Sequence, residues 1–294
     1  MKRNREQDEV PSPLIGSVLA PVMHLMSLNV RRRVAVVRPA DRWSRRAPLL
    51  ARLLRLERPT VLGIQEVLPD QAADIRVALG AGYEGFGTGR DADRGGERCE
   101  IHVDAERLQF IDRRVHWLSD RPDVAGSRSF GNLLPRVAVH AELEDLALGT
   151  RFHVIVTHFD HLSERSRRRS ARLVHRIAAG LDEPVIVMGD FNGGRRSKVF
   201  EELFRGDVLV DSWATSARRL TPEWGTYSDY RAPVAGGPRI DRILVSPSVR
   251  VEAAAVNAIR FDGSAVSDHE PVHALVRCPE RSLPDGGIGR EVRS

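Results

Sequence analysis

The chain has 294 residues, 41% hydrophobic and 29% charged, which excludes bulk disorder and leaves room for one large α/β domain or two small ones. Its formal net charge of +5 comes from 45 Lys and Arg against 40 Asp and Glu, with Lys only at positions 2 and 198; this near balance permits an anionic substrate without requiring one. Two cysteines, Cys99 and Cys278, give neither a disulfide framework nor a zinc-like spacing, so a reduced, cytoplasmic protein is expected.

In chain order, residues 1–21 are polar or proline-broken and predict a flexible leader. Leu14 to Met26 is mildly apolar behind Lys2, Arg3 and Arg5, but Pro11, Pro13 and Pro21, with Glu6, Asp8 and Glu9, argue against a signal peptide. No run is long enough to span a membrane. Residues 22–278 carry no linker-like break and predict one domain. Residues 279–294, with Pro284 and Gly286-Gly287, predict a flexible tail.

Within the domain, short apolar runs predict strands at Met23–Val30, Thr60–Gln65, Ile101–Val103, Val137–Leu143, Phe152–Thr157, Val185–Met188, Ile240–Val245 and Val272–Val276. Several are apolar without a break, as expected of strands covered on both faces. Leu49, Leu50, Leu53, Leu54 and Leu56 form one helical stripe ending at Pro59. Ser163 to Ala179 forms another, with Ala171, Val174, Ile177 and Ala178 inward and a basic outer face. Helices and strands alternate early and strands dominate later, which predicts two packed sheets with helices outside.

The chemistry lies in the polar residues these strands deliver. The first strand ends in Asn29 and the second in Glu66; Phe152–Thr157 runs into His158, then Asp160 and His161. Val185–Met188 leads through a glycine turn to Asp190 and Asn192, which share a face if strand geometry continues. A carboxylate beside an amide suits phosphate-ester hydrolysis, one group activating water and the other holding a phosphate oxygen. Asp241 sits inside an apolar run, where it needs a histidine or cation as partner. Asp268 and His269 immediately precede the last strand. Each site alone is an ordinary polar turn. Together, acidic, amide and imidazole groups without a Cys fit a metal-assisted centre, with magnesium or manganese better suited than zinc.

The ordered series Leu-Asn29, Gln-Glu66, Gly-Glu97, Thr-His158, Gly-Asp190-Phe-Asn192, Ile-Asp241-Arg-Ile and Ser-Asp268-His269 resembles the endonuclease/exonuclease/phosphatase superfamily, the DNase-I-like proteins, over residues 22–277. The resemblance implies a four-layer αββα sandwich of two mixed β-sheets flanked by helices. Trp117 to Asp123, Leu134-Pro-Arg136, Thr-His-Phe-Asp-His161, Gly225-Thr-Tyr and Gly236 to Asp241 look like a bacterial subgroup of metal-dependent hydrolases. That subgroup usually has Phe-Tyr where this chain has His102 and Val103, a basic residue at Asp104, His at Ser228 and Asn at Val156.

Carried over residue by residue, the resemblance makes Glu66 the principal Mg2+ ligand (Mn2+ as alternative), with Asn29 and Asp268 nearby, directly or through water. Asp190 would orient or deprotonate the attacking water, and Asn192 would fix it or the phosphate. His269 and His158 would donate to phosphate oxygens, held protonated by Asp241 and Glu97 respectively. Arg136 is a candidate phosphate clamp; a surface salt bridge is its plain alternative. The implied activity is hydrolysis of a phosphate mono- or diester of a small molecule, sugar or lipid headgroup. A nuclease is the first alternative and would use Arg31–Arg33, Arg165–Arg169 and Arg195–Arg196, although aromatics are only 5% and are not interleaved with them. A binding protein that kept the fold and lost catalysis is the second.

Overall fold

The computed structural model describes residues 12–34, 38–194 and 197–279. Strands β1 (Met23–Asn29), β2 (Val61–Val67), β3 (Tyr83–Gly89) and β4 (Arg98–Asp104) belong to one mixed sheet with β10 (Arg218–Arg219), β12 (Arg250–Val256) and β13 (Val272–Arg277), in the order β10-β12-β13-β1-β2-β4-β3. The second mixed sheet has the order β5-β6-β7-β8-β11-β9. It comprises β5 (Leu108–Trp117), β6 (Val137–Asp145), β7 (Thr150–His158), β8 (Val185–Asp190), β9 (Val210–Asp211) and β11 (Asp241–Val245).

The apolar runs show why these layers stack. Along β8, Ile186 and Met188 face the other sheet while Val185 and Val187 face helices. With both faces covered, every position has to be apolar. Leu25, Val61 and Ile101 of one sheet meet Val139, Val154 and Met188 of the other between the sheets. Helices α1 (Trp43–Glu57) and α2 (Pro69–Leu79) cover the outer face of the first sheet, setting Leu50, Leu53 and Ile75 on Met26 and Leu62. On the second sheet, α3 (Glu164–Ala179) and α4 (Lys198–Leu203) set Val174, Ala178 and Phe200 on Ile155 and Val187, and a short α5 (Ser212–Thr215) follows. The result is the four-layer αββα sandwich implied by the motifs.

Local signals fix the ends of α3. The Ser163 hydroxyl accepts from the Ser166 amide as N-cap, and Asp160 Oδ1 accepts from the Leu162 and Ser163 amides. Asp160 thereby fixes the turn that leads into α3.

The expected leader needs correction where it is described. The Leu14, Ile15 and Gly16 amides donate to the buried Glu57 carboxylate at 2.8, 3.1 and 3.2 Å, and Asn257 Nδ2 donates to it at 3.0 Å. Glu57 has no partner within its own helix, so these amides fix residues 14–16 against the domain. Residues 1–11 and 280–294 lie outside the described residues, as do Arg195 and Arg196. Cys99 and Cys278 are free, and burial pushes both thiols up to about 12. Among the described residues, no helix is long and apolar enough to cross a membrane.

Candidate active site

Strand direction gathers the polar residues at one end of the sandwich. β1 runs parallel to β2, and β7 parallel to β8 with His158 opposite Asp190. β11 runs antiparallel to β8, so its first residue, Asp241, also pairs with Asp190. At Gly189 a Cβ would lie 1.9 Å from the Thr157 carbonyl oxygen, so only glycine lets β7 and β8 approach this closely.

Three site residues, Arg31, Glu66 and Asn192, have left-handed backbone. The β2–β4 register slips between Ile64 and Val67, and within that bulge Glu66 has φ 61°. The bulge turns Glu66 into the cleft while Val67 still packs on the helix side. Asn192 has φ 48°, which corrects the expectation that strand geometry continues past Asp190. A turn places it instead: its amide donates to Asp190 Oδ1 at 2.8 Å and its Nδ2 to the Phe159 carbonyl at 3.0 Å. Such conformations cost on the order of 1–3 kcal/mol each and persist where surrounding structure enforces them.

Asn29 joins the two sheets. Its Nδ2 donates to Glu66 Oε1 and to Asp190 Oδ2, both at 3.1 Å, and its Oδ1 accepts from the Arg31 amide at 3.0 Å. Both ends of the amide are engaged, and Asn29 ties the two carboxylates to each other. Burial would raise the Glu66 pKa, but the Asn29 hydrogen bond, the His269 charge and the Arg32 amide hold it below the ordinary value. Asp268 is raised by burial, with Glu66 adding to the shift and His269 opposing it. Arg31 lies loosely between them, 3.6 Å from Asp268 Oδ2 and 4.0 Å from Glu66 Oε2. An ionised Glu66 and a neighbouring Asp268, both oxygen donors on one cleft, fit a hard divalent cation.

Beside them, His269 Nδ1 lies 2.8 Å from Asp241 Oδ2, and its Nε2 lies 3.8 Å from Asp190 Oδ2. Burial would lower the His269 pKa, but Asp241, by charge and hydrogen bond, and then Asp190 push it up to about 10. This imidazolium offsets the charge of Asp190 and Asp241, and ligand atoms of the three lie close enough together to hold a metal ion. Burial and the Asp241 charge raise Asp190 to about 7, against His269 and the Asn192 and Asn29 bonds.

His158 departs from expectation. Its Nε2 lies 3.6 Å from Asp190 Oδ2, and burial followed by the charge of Arg136 holds it well below the ordinary value, so the ring is neutral. Glu97 does not hold it. The Glu97 carboxylate is taken by Arg90 at 2.5 Å and Arg32 at 3.2 Å, full cations that outcompete a neutral ring. Arg136 is buried, not a surface salt bridge, and its Nη2 donates to His161 Nδ1 at 3.1 Å.

A cleft of about 330 Å³ brings Glu66, Glu97, Arg136, His158, Asp190, Asn192, Asp268 and His269 together; Asn29 and Asp241 stand behind them. Sequence reasoning missed Arg90 and Tyr227. Tyr227 meets the His269 ring edge-on at 5.1 Å, and Thr226 Oγ1 accepts from the Ile240 and Asp241 amides at 3.0 Å each. The Gly225-Thr-Tyr motif was the available signal for both. Nothing around Arg90 distinguished it.

Solved structures share this architecture. An endonuclease/exonuclease/phosphatase from Bacteroides vulgatus superposes with TM-score 0.82 at 29% identity, over 88% of this chain and 99% of that one. A mannosyl-6-phosphatase from Bacteroides thetaiotaomicron gives 0.78 at 27% identity, over 86% and 99%. The human Nocturnin catalytic domain, with bound sulfate, shares the fold at 19% identity and TM-score 0.65, over 87% and 93%. No curated protein matches the chain. The sequence model of the Endonuclease/Exonuclease/phosphatase family matches residues 26–269, most of the chain, and the chain belongs to that family.

Proposed function

We propose that this protein is a magnesium- or manganese-dependent phosphoric ester hydrolase acting on a phosphorylated small molecule, sugar or lipid headgroup. One observation carries the reading: Asn29 bridges an ionised, cation-seeking carboxylate, Glu66, to a carboxylate raised to about 7, Asp190. A carboxylate near the operating pH is suited to take a proton from water. Protonated His269, oriented by Asp241, donates from Nε2 to a phosphate oxygen, and neutral His158 and Asn192 stand beside it. Glu66 and Asp268 would hold the cation, which when bound offsets charge on a phosphoryl oxygen.

The small-molecule reading is supported by the modest cleft and by likeness to a mannosyl-6-phosphatase. The arginine runs give a nuclease less support. Arg31 and Arg32 are engaged within the site itself, and Arg167, Arg168 and Arg169 pair with Glu164, Glu202 and Asp120. Buried free thiols support a reduced cytoplasmic setting. An inactive binding protein would have no need of the tuned Asp190.

The test is a screen of p-nitrophenyl phosphate, its bis ester, nucleic acids and phospholipid headgroups with magnesium or manganese. EDTA should abolish hydrolysis and either metal should restore it. Glu66→Gln should weaken magnesium binding by calorimetry. Full activity after exhaustive chelation would sink the metal assignment.

A further inference from the structure

On its Glu97 side the cleft contains more buried positive charge than the residues there neutralise. Arg32, Arg90 and Arg136 line it around one carboxylate, Glu97. Arg90 and Arg136 are only 6% and 4% exposed. Arg90 shares Glu97 with Arg32. Among the described residues Arg136 has no carboxylate within ion-pair reach; its Nη2 meets only His161. The Nε atoms of both Arg90 and Arg136 are buried without a hydrogen-bond partner. A buried guanidinium without a counter-charge is costly, and its unused donors add to that cost. Arg136 cannot swing into solvent without leaving its place beneath the cleft, so the missing negative charge has to enter from the cleft.

We infer that Arg136 and Arg90 receive a terminal phosphate oxygen, and that the site is specialised for phosphomonoesters over diesters. The inference rests on the hydrolase reading of the same cleft. Near neutral pH a monoester phosphoryl group carries roughly 1.5 to 2 negative charges and three terminal oxygens. A diester carries one charge and two such oxygens. The guanidinium fork matches adjacent phosphate oxygens, and the surplus charge beside Glu97 matches the additional negative charge of a monoester. Side chains this buried are within reach of a small terminal oxygen, whereas the second ester arm of a diester would have to fill the same space. In the reaction so defined, the water oxygen bonds to phosphorus and the phosphorus–ester oxygen bond breaks. Asp190 takes one water proton and afterwards releases it to solvent, while the departing oxygen takes up a solvent proton, giving the alcohol and hydrogen phosphate.

The experiment compares kcat/KM on p-nitrophenyl phosphate and bis(p-nitrophenyl) phosphate for wild type, Arg136→Gln, Arg136→Lys and Arg90→Gln. Inorganic phosphate binding to the magnesium-loaded proteins is measured by calorimetry alongside. Wild type should favour the monoester. Arg136→Gln should lose about tenfold more on the monoester than on the diester, with phosphate affinity falling by a similar factor, because the charge-assisted contact to the additional terminal oxygen is lost. Arg136→Lys, which keeps the charge and loses the fork, should recover part of the loss. Equal losses on both esters, a wild-type preference for the diester, or unchanged phosphate affinity in Arg136→Gln would each overturn the inference. If neither ester is turned over with any metal, the hydrolase reading fails, and the phosphate titration decides the role of Arg136 independently. Should Arg136→Gln fail to fold, Arg136→Lys and Arg90→Gln carry the comparison.

Discussion

Asp190 and Asp241 are ladder partners on β8 and β11, each 1% exposed, yet their environments give them different work. Asp241 sits against the His269 imidazolium. Asp190 faces the cleft and holds a proton to about 7, against an ordinary 3.8. Between those values the folded state binds the Asp190 proton more tightly than the unfolded state, so stability falls as pH rises through that window. Removing the charge relieves this. Asp190→Asn should be inactive with magnesium present, and in EDTA, just above that pH, it should melt at or above wild type. His269 has the same sign over a higher window: its stabilisation is complete below 6.5 and is lost as pH rises through about 10. Asp241→Asn takes away the carboxylate behind it and should lose activity together with roughly 1–3 kcal/mol of stability. Melting curves and turnover of both variants decide this. If Asp190→Asn stays active while Asp241→Asn is neutral in both assays, the centre of the proposed site is wrong.

At the scale of elements, β2 and β7 touch where β2 has no side chain. A Cβ on Gly63 would lie 2.7 Å from Val156 Cγ2, and Val156 is fully buried between the sheets. Gly63→Ala should therefore destabilise by about 1–3 kcal/mol through overpacking, read as a lower midpoint in urea with an unchanged slope. An unchanged midpoint would mean that the sheets separate freely here. The same packing explains what could be read from sequence. β1, β2, β7 and β8 are covered on both faces, so their apolar runs stood out and their terminal residues Asn29, Glu66, His158 and Asp190 could be placed. β3 and β5 lie at sheet edges; glycine breaks one and polar alternation breaks the other, so neither run was legible. In α2 few positions are both apolar and buried, notably Ala72, Ile75 and Leu79, too few to form a visible stripe. Within the site, partners close to a motif were legible and distant ones were not. Asp241 called for a histidine and has one, whereas the hold of Arg90 and Arg32 on Glu97 depends on loops that no motif connects.

The whole molecule places its site on the seam between the two sheets. Glu66 and Asn29 come from the first sheet, Asp190, Asp241 and His158 from the second, with Asp268 and His269 from the segment leading into β13. On the Glu66 side of the cleft four carboxylates meet against the His269 imidazolium and the loosely placed Arg31, so that side carries more negative than positive charge. A cation at Glu66 and Asp268 should therefore stabilise the fold as well as activate it. At about a hundred times its Kd, a ligand bound only by the folded state adds about 2.7 kcal/mol. For a chain of this size each kcal/mol moves Tm by about 2–4 °C, so magnesium should raise Tm by roughly 5–11 °C over the chelated protein. Glu66→Gln should lose most of that shift, while Arg136→Gln should keep it. The control matters because a second group, His24, Glu57 and His273, has ligand atoms close enough to hold an ion. There, however, the histidines are bonded to each other at 2.8 Å, and both Glu57 oxygens already accept amide donors. A full magnesium shift retained in Glu66→Gln would place the cation away from the cleft and remove the basis for metal-assisted chemistry there.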